Sequence, residues 1–126
     1  KLADTMNAAG LRGVHFLPAH FTPSASKYAR IPCRGVQLFI TDCRTFEPVK
    51  TGITLLFALK TAYADDFRFL PYSRATGTDG NFSASIDRLA GDSLLRTAAS
   101  AAEVCRLFEK EAESFYRRIR SFFIYS

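Results

Sequence analysis

The chain has no tryptophan, one methionine, two histidines and three cysteines, and these scarcities narrow the chemistry open to it. Cys33, Cys43 and Cys105 form no Cys-x-x-Cys pair and have no histidine at metal-ligand spacing, which argues against a zinc site and gives no metal ligands to name. Their odd number argues against a fully bridged scaffold. One bridge between Cys33 and Cys43 stays open beside the reading of all three as small buried hydrophobes. With only His15 and His20 available as bases and no Gly-x-Ser-x-Gly elbow, a self-contained nucleophilic triad is not expected. Neither dinucleotide nor P-loop glycine spacing occurs, so Gly10 to Gly13 is no phosphate cradle and no cofactor is implied. No apolar run approaches the roughly 18 residues that would span a bilayer. The opening KLADTMNAAGL carries no initiator methionine and no cationic leader; it reads as helix, and as the start of a segment within a longer protein.

What is present fits one folded domain. The 126 residues are 48% apolar, with twelve phenylalanines and five tyrosines, enough large side chains to build a single core without staples. Seventeen basic residues against twelve acidic ones give a net charge of +5, a general bias toward anionic partners. Arg106, Lys110, Arg117, Arg118 and Arg120 near the C-terminus alternate with Glu103, Glu109, Glu111 and Glu113, the pattern of a solvated helical face. Aromatics do not interleave with basic residues as on an RNA-binding sheet, and no helix-turn-helix or zinc finger stands out, so a nucleic-acid partner is not expected.

The periodicities predict an α+β fold, a small mixed β-sheet packed against several helices with a long C-terminal helix. Leu2, Met6 and Ala9 mark a helix over residues 2 to 9, closed by Gly10. A strand starts at Val14, with Pro18 and Pro23 restricting it to an edge or an irregular exit. Gly35 opens GVQLFITD, whose strict alternation predicts the most regular strand. Pro48 starts a helix that runs to about Ala64. Residues 73 to 83, rich in Gly, Ser, Thr and Asp, form a loop. Short helices follow over Ile86 to Leu89, ending at Gly91, and over Ser93 to Ala98. Ser100 with Glu103 is a capping box opening the longest helix, whose apolar face is Val104, Leu107, Phe108, Ala112, Phe115 and Ile119. The apolar tail from Phe122 to Tyr125 is expected to pack as an extended segment.

The candidate ligand site is the loop between the two strands, from Thr22 to Arg34. His20, Thr22, Ser26, Lys27, Tyr28, Arg30, Cys33 and Arg34 crowd in or beside it. Lys27 and Tyr28 together could hold an anionic sugar through a fixed charge and an aromatic face, beside the plainer reading of a solvated lysine and a tyrosine packed at the loop base. Glycoside hydrolysis needs two carboxyl groups, one protonated and one ionised. Asp42, at a strand end, and Asp87 are the two to examine, although turn and cap roles suit both.

The motifs FLPAHFTPSASKY, CRGVQLFITD, IDRLAG and a last helix closing on FFIYS follow one another over Leu2 to Tyr125. In order and spacing the chain resembles the C-terminal portion of the NamZ-type exo-β-N-acetylmuramidases. The resemblance implies that residues 1–126 are the smaller, C-terminal domain of a two-part glycosidase whose Rossmann-like N-terminal domain is absent here. The full-length enzyme would release N-acetylmuramic acid from the non-reducing ends of peptidoglycan-derived glycans, in a cleft that this domain completes. It further implies catalytic glutamates on the missing part, no catalytic residue here and an inactive isolated fragment. Its partners would be a muropeptide or peptidoglycan-derived glycan and the N-terminal domain, and its location periplasmic or otherwise extracytoplasmic. The substrate-binding candidates are His20, Thr22, Ser26, Lys27, Tyr28, Gln37 and Asp87, with Lys27 the favoured partner of the lactyl carboxylate and Arg30 or Arg34 next. Ala25 stands where the family commonly has an aromatic, Ile86 replaces a frequent phenylalanine and Phe108 a frequent tryptophan. A noncatalytic glycan-binding or protein-interaction module is the alternative reading.

Overall fold

A computed structural model describes residues 1–72 and 84–124. Within the span read from its length as one domain, contacts gather into two compact units, Lys1–Asp66 and Phe67–Ser126. The α+β class holds. The sheet is a two-stranded antiparallel hairpin, so among the described residues the mixed pairing expected from the sequence is replaced by purely antiparallel pairing.

The first unit runs α1 (Leu2–Asn7), β1 (Val14–Phe21), β2 (Cys33–Ile40) and α2 (Pro48–Ala62). Helix α1 stops two residues short of the expected end because Ala8 is its cap, while Gly10 and Gly13 follow with φ of +69° and +68° and turn the chain into β1. Left-handed backbone of this kind suits glycine, which has no Cβ to collide with its own carbonyl. Ala3, Met6 and Phe16 form the buried cluster, with Leu2, Leu11, Val14, Val36, Leu55 and Ala58 packed around it. Phe16 is 1% exposed, a burial that contributes about 1.5–3 kcal/mol before entropy is counted. Pro48 opens α2 at its first position, where the missing N–H would have had no helical partner.

The strands pair without interruption from Val14↔Ile40 to Phe21↔Cys33. One step further, the Thr41 N–H donates to the Gly13 carbonyl at 2.9 Å, which fixes the phase of the ladder. Narrow, doubly bonded pairs therefore fall at His15↔Phe39, Leu17↔Gln37, Ala19↔Gly35 and Phe21↔Cys33. Phe16, Pro18 and His20 turn their backbone groups outward. Two observations agree with this phase. The Asn7 side chain holds both outward groups of Phe16, accepting from its N–H at 2.8 Å and donating to its carbonyl at 2.9 Å. Pro18, which has no N–H, sits where none is needed, so β1 is a regular strand at an edge of the sheet, one of the two placements its prolines allow.

The second unit contains α3 (Ser85–Ala90), α4 (Leu94–Thr97) and α5 (Ala101–Ile119), ending in a 3₁₀ turn at Arg120–Phe122. Gly91 caps α3 in the left-handed region at φ +89°. Ser100 Oγ accepts the Glu103 N–H, and the Glu103 carboxylate accepts the N–H of Ala99, so the expected box forms with its return arm one residue earlier than Ser100. Ala84, Ala98 and Val104 are the buried apolar residues described here. The C-terminal tail is not packed as expected: Phe122 and Ile124 are 78% and 87% exposed, because the 3₁₀ turn brings only Phe123 against a ring, that of Tyr116, at 5.6 Å. The expected loop over residues 73–83, and Tyr125, lie outside the described residues.

Candidate functional site

The hairpin presents its loop, residues 22–32, at the end of the sheet remote from the Gly13 turn. Three backbone bonds close this loop on itself: Arg30 N–H to the Pro23 carbonyl at 2.8 Å, Ala29 N–H to Ser26 at 3.1 Å and Ile31 N–H to Tyr28 at 3.0 Å. Folding back so tightly puts Ser26 and Arg30 at φ of +72° and +63°, a conformation that costs a residue with a Cβ about 1–2 kcal/mol. Strain of this kind concentrates at binding and catalytic loops. The segment is thus a shaped structure with side chains projecting from a fixed backbone.

Thr22, Ser26, Lys27 and Tyr28 are all exposed on this loop. Lys27 Nζ lies 5.7 Å from the centroid of the Tyr28 ring, close enough for a cation–π contact that leaves both groups open to solvent. Cys33 Sγ donates to the Ile31 carbonyl at 3.4 Å. The possible Cys33–Cys43 bridge is closed by geometry, since the two thiols are free and flank an extended strand whose rise of about 3.3 Å per residue separates them well beyond bonding reach.

The register divides the remaining strand candidates. Residues directly opposite share a face, and faces alternate along each strand. His20 lies opposite Arg34, in the row of Phe16 and Val36, whereas Gln37 lies opposite Leu17 on the other face. His20 and Gln37 therefore cannot point into one pocket from the sheet itself. Asp87 belongs to the second unit. Its carboxylate accepts the Ala84 N–H at 3.2 Å at the start of α3 and pairs with Arg96 Nη2 at 2.9 Å and Nε at 3.0 Å. A ligand at Asp87 would have to compete with Arg96.

The two aspartates that could have served as acids are both held ionised. Hydrogen bonding from Arg96 is the largest influence on Asp87 and lowers its pKa, helped by the Ala84 N–H against a cost of desolvation. The Arg44 N–H, at 3.0 Å, does the same for Asp42, in a tight turn after β2. A general acid needs the opposite shift. Neither residue suits that role.

Charge distribution supplies a feature that the motifs do not reveal. Between Asp4 and Asp42 the chain has no acidic residue, while Arg12, Lys27, Arg30 and Arg34 all fall in that span. Arg12 reaches Glu47 at 3.7 Å; among the described residues no ion pair engages Lys27, Arg30 or Arg34. Counting carboxylates by segment would have exposed this directly. The outer face also carries Phe21, 55% exposed, with its ring edge 3.8 Å from where a Cβ on Gly35 would stand. Gly35 leaves room beside that ring, which at the loop end of β1 is a flat apolar surface in addition to Tyr28.

Residues 1–125 match the family model described as exo-beta-N-acetylmuramidase NamZ, C-terminal. The chain is 36% identical over 129 aligned positions to the peptidoglycan beta-N-acetylmuramidase NamZ of Bacillus subtilis (strain 168), covering 99% of this chain and 28% of that protein. In structure it is similar to a DUF1343 family protein from Bacteroides fragilis NCTC 9343, with a TM-score of 0.74 and 22% identity, over 100% of this chain and 32% of the other. The chain thus spans under a third of the length of these relatives.

Proposed function

The chain belongs to the NamZ C-terminal family, and from that premise we propose that it is the C-terminal part of a peptidoglycan hydrolase that removes N-acetylmuramic acid from non-reducing glycan ends. The observation that carries this reading is the match over residues 1–125, supported by 36% identity to a peptidoglycan beta-N-acetylmuramidase. The hairpin loop gives the reading a chemistry. N-acetylmuramic acid differs from N-acetylglucosamine by a lactyl ether bearing a carboxylate, and the loop offers Lys27, Arg30 and Arg34 with no acid among them. One charge-assisted hydrogen bond from such a cation contributes roughly 1.5–3 kcal/mol, enough to discriminate the two sugars.

In this reading Lys27 meets the lactyl carboxylate, Tyr28 lies against the sugar ring, and the Thr22 and Ser26 hydroxyls with His20 bond the polar edge of the same residue. Gln37, on the other face of the sheet, contacts a more distant part of the glycan. The catalytic carboxyls come from polypeptide outside these residues; Asp42 and Asp87, the two acids singled out within them, have their pKa lowered by the Arg44 backbone N–H and by Arg96. The site of action is extracytoplasmic, where the substrate lies.

The test is to express the whole reading frame and the 126-residue chain separately, and to offer each para-nitrophenyl β-N-acetylmuraminide and its N-acetylglucosaminide counterpart. The long polypeptide is expected to cleave the muraminide alone, and the short chain neither. Turnover by the short chain would place the acids within it and overturn the reading. Binding without turnover by the long polypeptide would give the noncatalytic glycan-binding module instead.

A further inference from the structure

One edge of the hairpin is protected at Phe16 and Pro18, and among the described residues the other is bare. On β1, Asn7 takes both outward backbone groups of Phe16 and Pro18 has no outward N–H to offer, devices of the kind by which natural sheets protect an edge that stays exposed. On β2 the same phase turns the N–H and carbonyl groups of Arg34, Val36, Leu38 and Ile40 away from β1. Among the described residues none of these groups has a hydrogen-bond partner. The strand has no proline, an uninterrupted register and one charged residue, Arg34. Its side chains do not shield it either, for Leu38 and Ile40 are 39% and 50% exposed on one face and Phe39 is 41% exposed on the other. A bare, regular, apolar edge of this length is a template for another strand.

We propose that the free edge of β2 receives an additional β-strand, supplied by the polypeptide that the relatives carry and these 126 residues do not. The asymmetry of protection is the first argument, because β1 has devices of a permanent edge at Phe16 and Pro18 and β2, among the described residues, has none. The second is supply: the chain spans 28% of the Bacillus subtilis relative and 32% of the Bacteroides fragilis chain, so most of such a polypeptide is available to pair intramolecularly at high effective concentration. The third is charge. A second copy would bring together two chains of net charge +5, each with its acid-free hairpin, and their repulsion opposes self-pairing. A strand added at β2 would satisfy the four outward residues and cover the flank of Leu38, Phe39 and Ile40. It would also stiffen the strand that leads out of the ligand loop, since a two-stranded sheet is marginal by itself.

The inference rests on the family membership and not on the proposed activity. Its test is hydrogen exchange resolved to single amides, on the 126-residue chain and on the product of the whole reading frame. In the short chain the outward amides of Val36, Leu38 and Ile40 should exchange fast while those of Gln37 and Phe39, bonded to β1, exchange slowly. In the long polypeptide the three outward amides should slow by about 100-fold or more, since a strand-bonded amide exchanges only through opening. Outward amides that stay fast in the long polypeptide would overturn the proposal, as would a reading frame holding no further segment. Slow outward amides already present in the short chain would overturn it too, and their dependence on protein concentration would identify a second copy. A long polypeptide that protects the edge yet cleaves no muraminide would uphold this inference and refute the activity.

Discussion

Gly13 and Gly10 provide a matched pair for testing what fixes the base of the hairpin. Both have left-handed φ, +68° and +69°, so alanine at either site incurs the same conformational cost of about 1–2 kcal/mol. Their surroundings differ. A Cβ on Gly10 meets nothing within 4 Å, whereas one on Gly13 would overlap the Asp42 carbonyl oxygen and stand 2.7 Å from the Phe46 nitrogen and 2.9 Å from Thr45 Oγ1. The first two are backbone atoms that no side-chain rotation can move. They are also held by bonds that close this turn, Thr41 N–H to Gly13 and Phe46 N–H to Asp42. Steric insertion into a fixed environment adds typically about 1–3 kcal/mol. Gly10→Ala should therefore cost about 1–2 kcal/mol, and Gly13→Ala about 2–5 kcal/mol. Urea denaturation followed by circular dichroism, with the wild type in the same series, measures both. Equal costs within about 0.5 kcal/mol would refute the argument, because the overlap would then carry no energy.

Three other substitutions probe the elements around the site. Asn7→Ala removes two hydrogen bonds to Phe16 beside a buried ring, and should lower stability by about 2–3 kcal/mol in the same denaturation assay; Asn7→Asp keeps an acceptor for the Phe16 N–H but has no donor for its carbonyl. Lys27→Ala, in the long polypeptide, should lower kcat/KM for the muraminide by roughly 10- to 150-fold, the equivalent of one charge-assisted bond, and unchanged kcat/KM would remove Lys27 from recognition. Asp87 has its folded pKa lowered chiefly by Arg96, so its contribution to stability is present above the ordinary carboxylate pKa near 4 and fades as pH falls through the lower folded value. Asp87→Asn should flatten that acid limb in melting curves recorded from pH 7 downward, and an unaltered limb would show that the Arg96 pair does not couple to folding.

The α+β class, both strands of the hairpin and the long helix could be read from periodicity because their signals are local and redundant. Val36, Leu38 and Ile40 alternate with Gln37 and Phe39, and Ser100 and Glu103 mark the start of α5. Less was legible where a distant partner decides. Pro18 restricts β1 to an edge or an irregular exit, and that the edge holds depends on the ladder phase, which Gly13 and Thr41 set from outside the strand. The tail after Arg120 was expected to pack because it is apolar, yet hydrophobicity cannot say that a 3₁₀ turn leaves Phe122 and Ile124 exposed. For the site, composition placed the right side chains in one loop. Separating His20 from Gln37 needed the register, and recognising Asp87 as the partner of Arg96 needed a contact nine residues along the chain.

The electrostatics of the loop also bear on where the acid must be. A carboxyl placed close to Lys27, Arg30 and Arg34 would have its charged form favoured and its pKa lowered, as the Arg96 guanidinium already does to Asp87. Such a group cannot stay protonated near neutral pH to donate a proton to a leaving oxygen. A surface built to attract a carboxylate substrate is therefore a poor place for a general acid. An enzyme that selects an anionic sugar and cleaves its glycosidic bond gains by separating the two tasks, with cations on one element and the protonated carboxyl on another in a less polar setting. The acid-free span from residue 5 to residue 41 fits the first of these tasks, and under the proposed function the proton donor is to be sought outside that span.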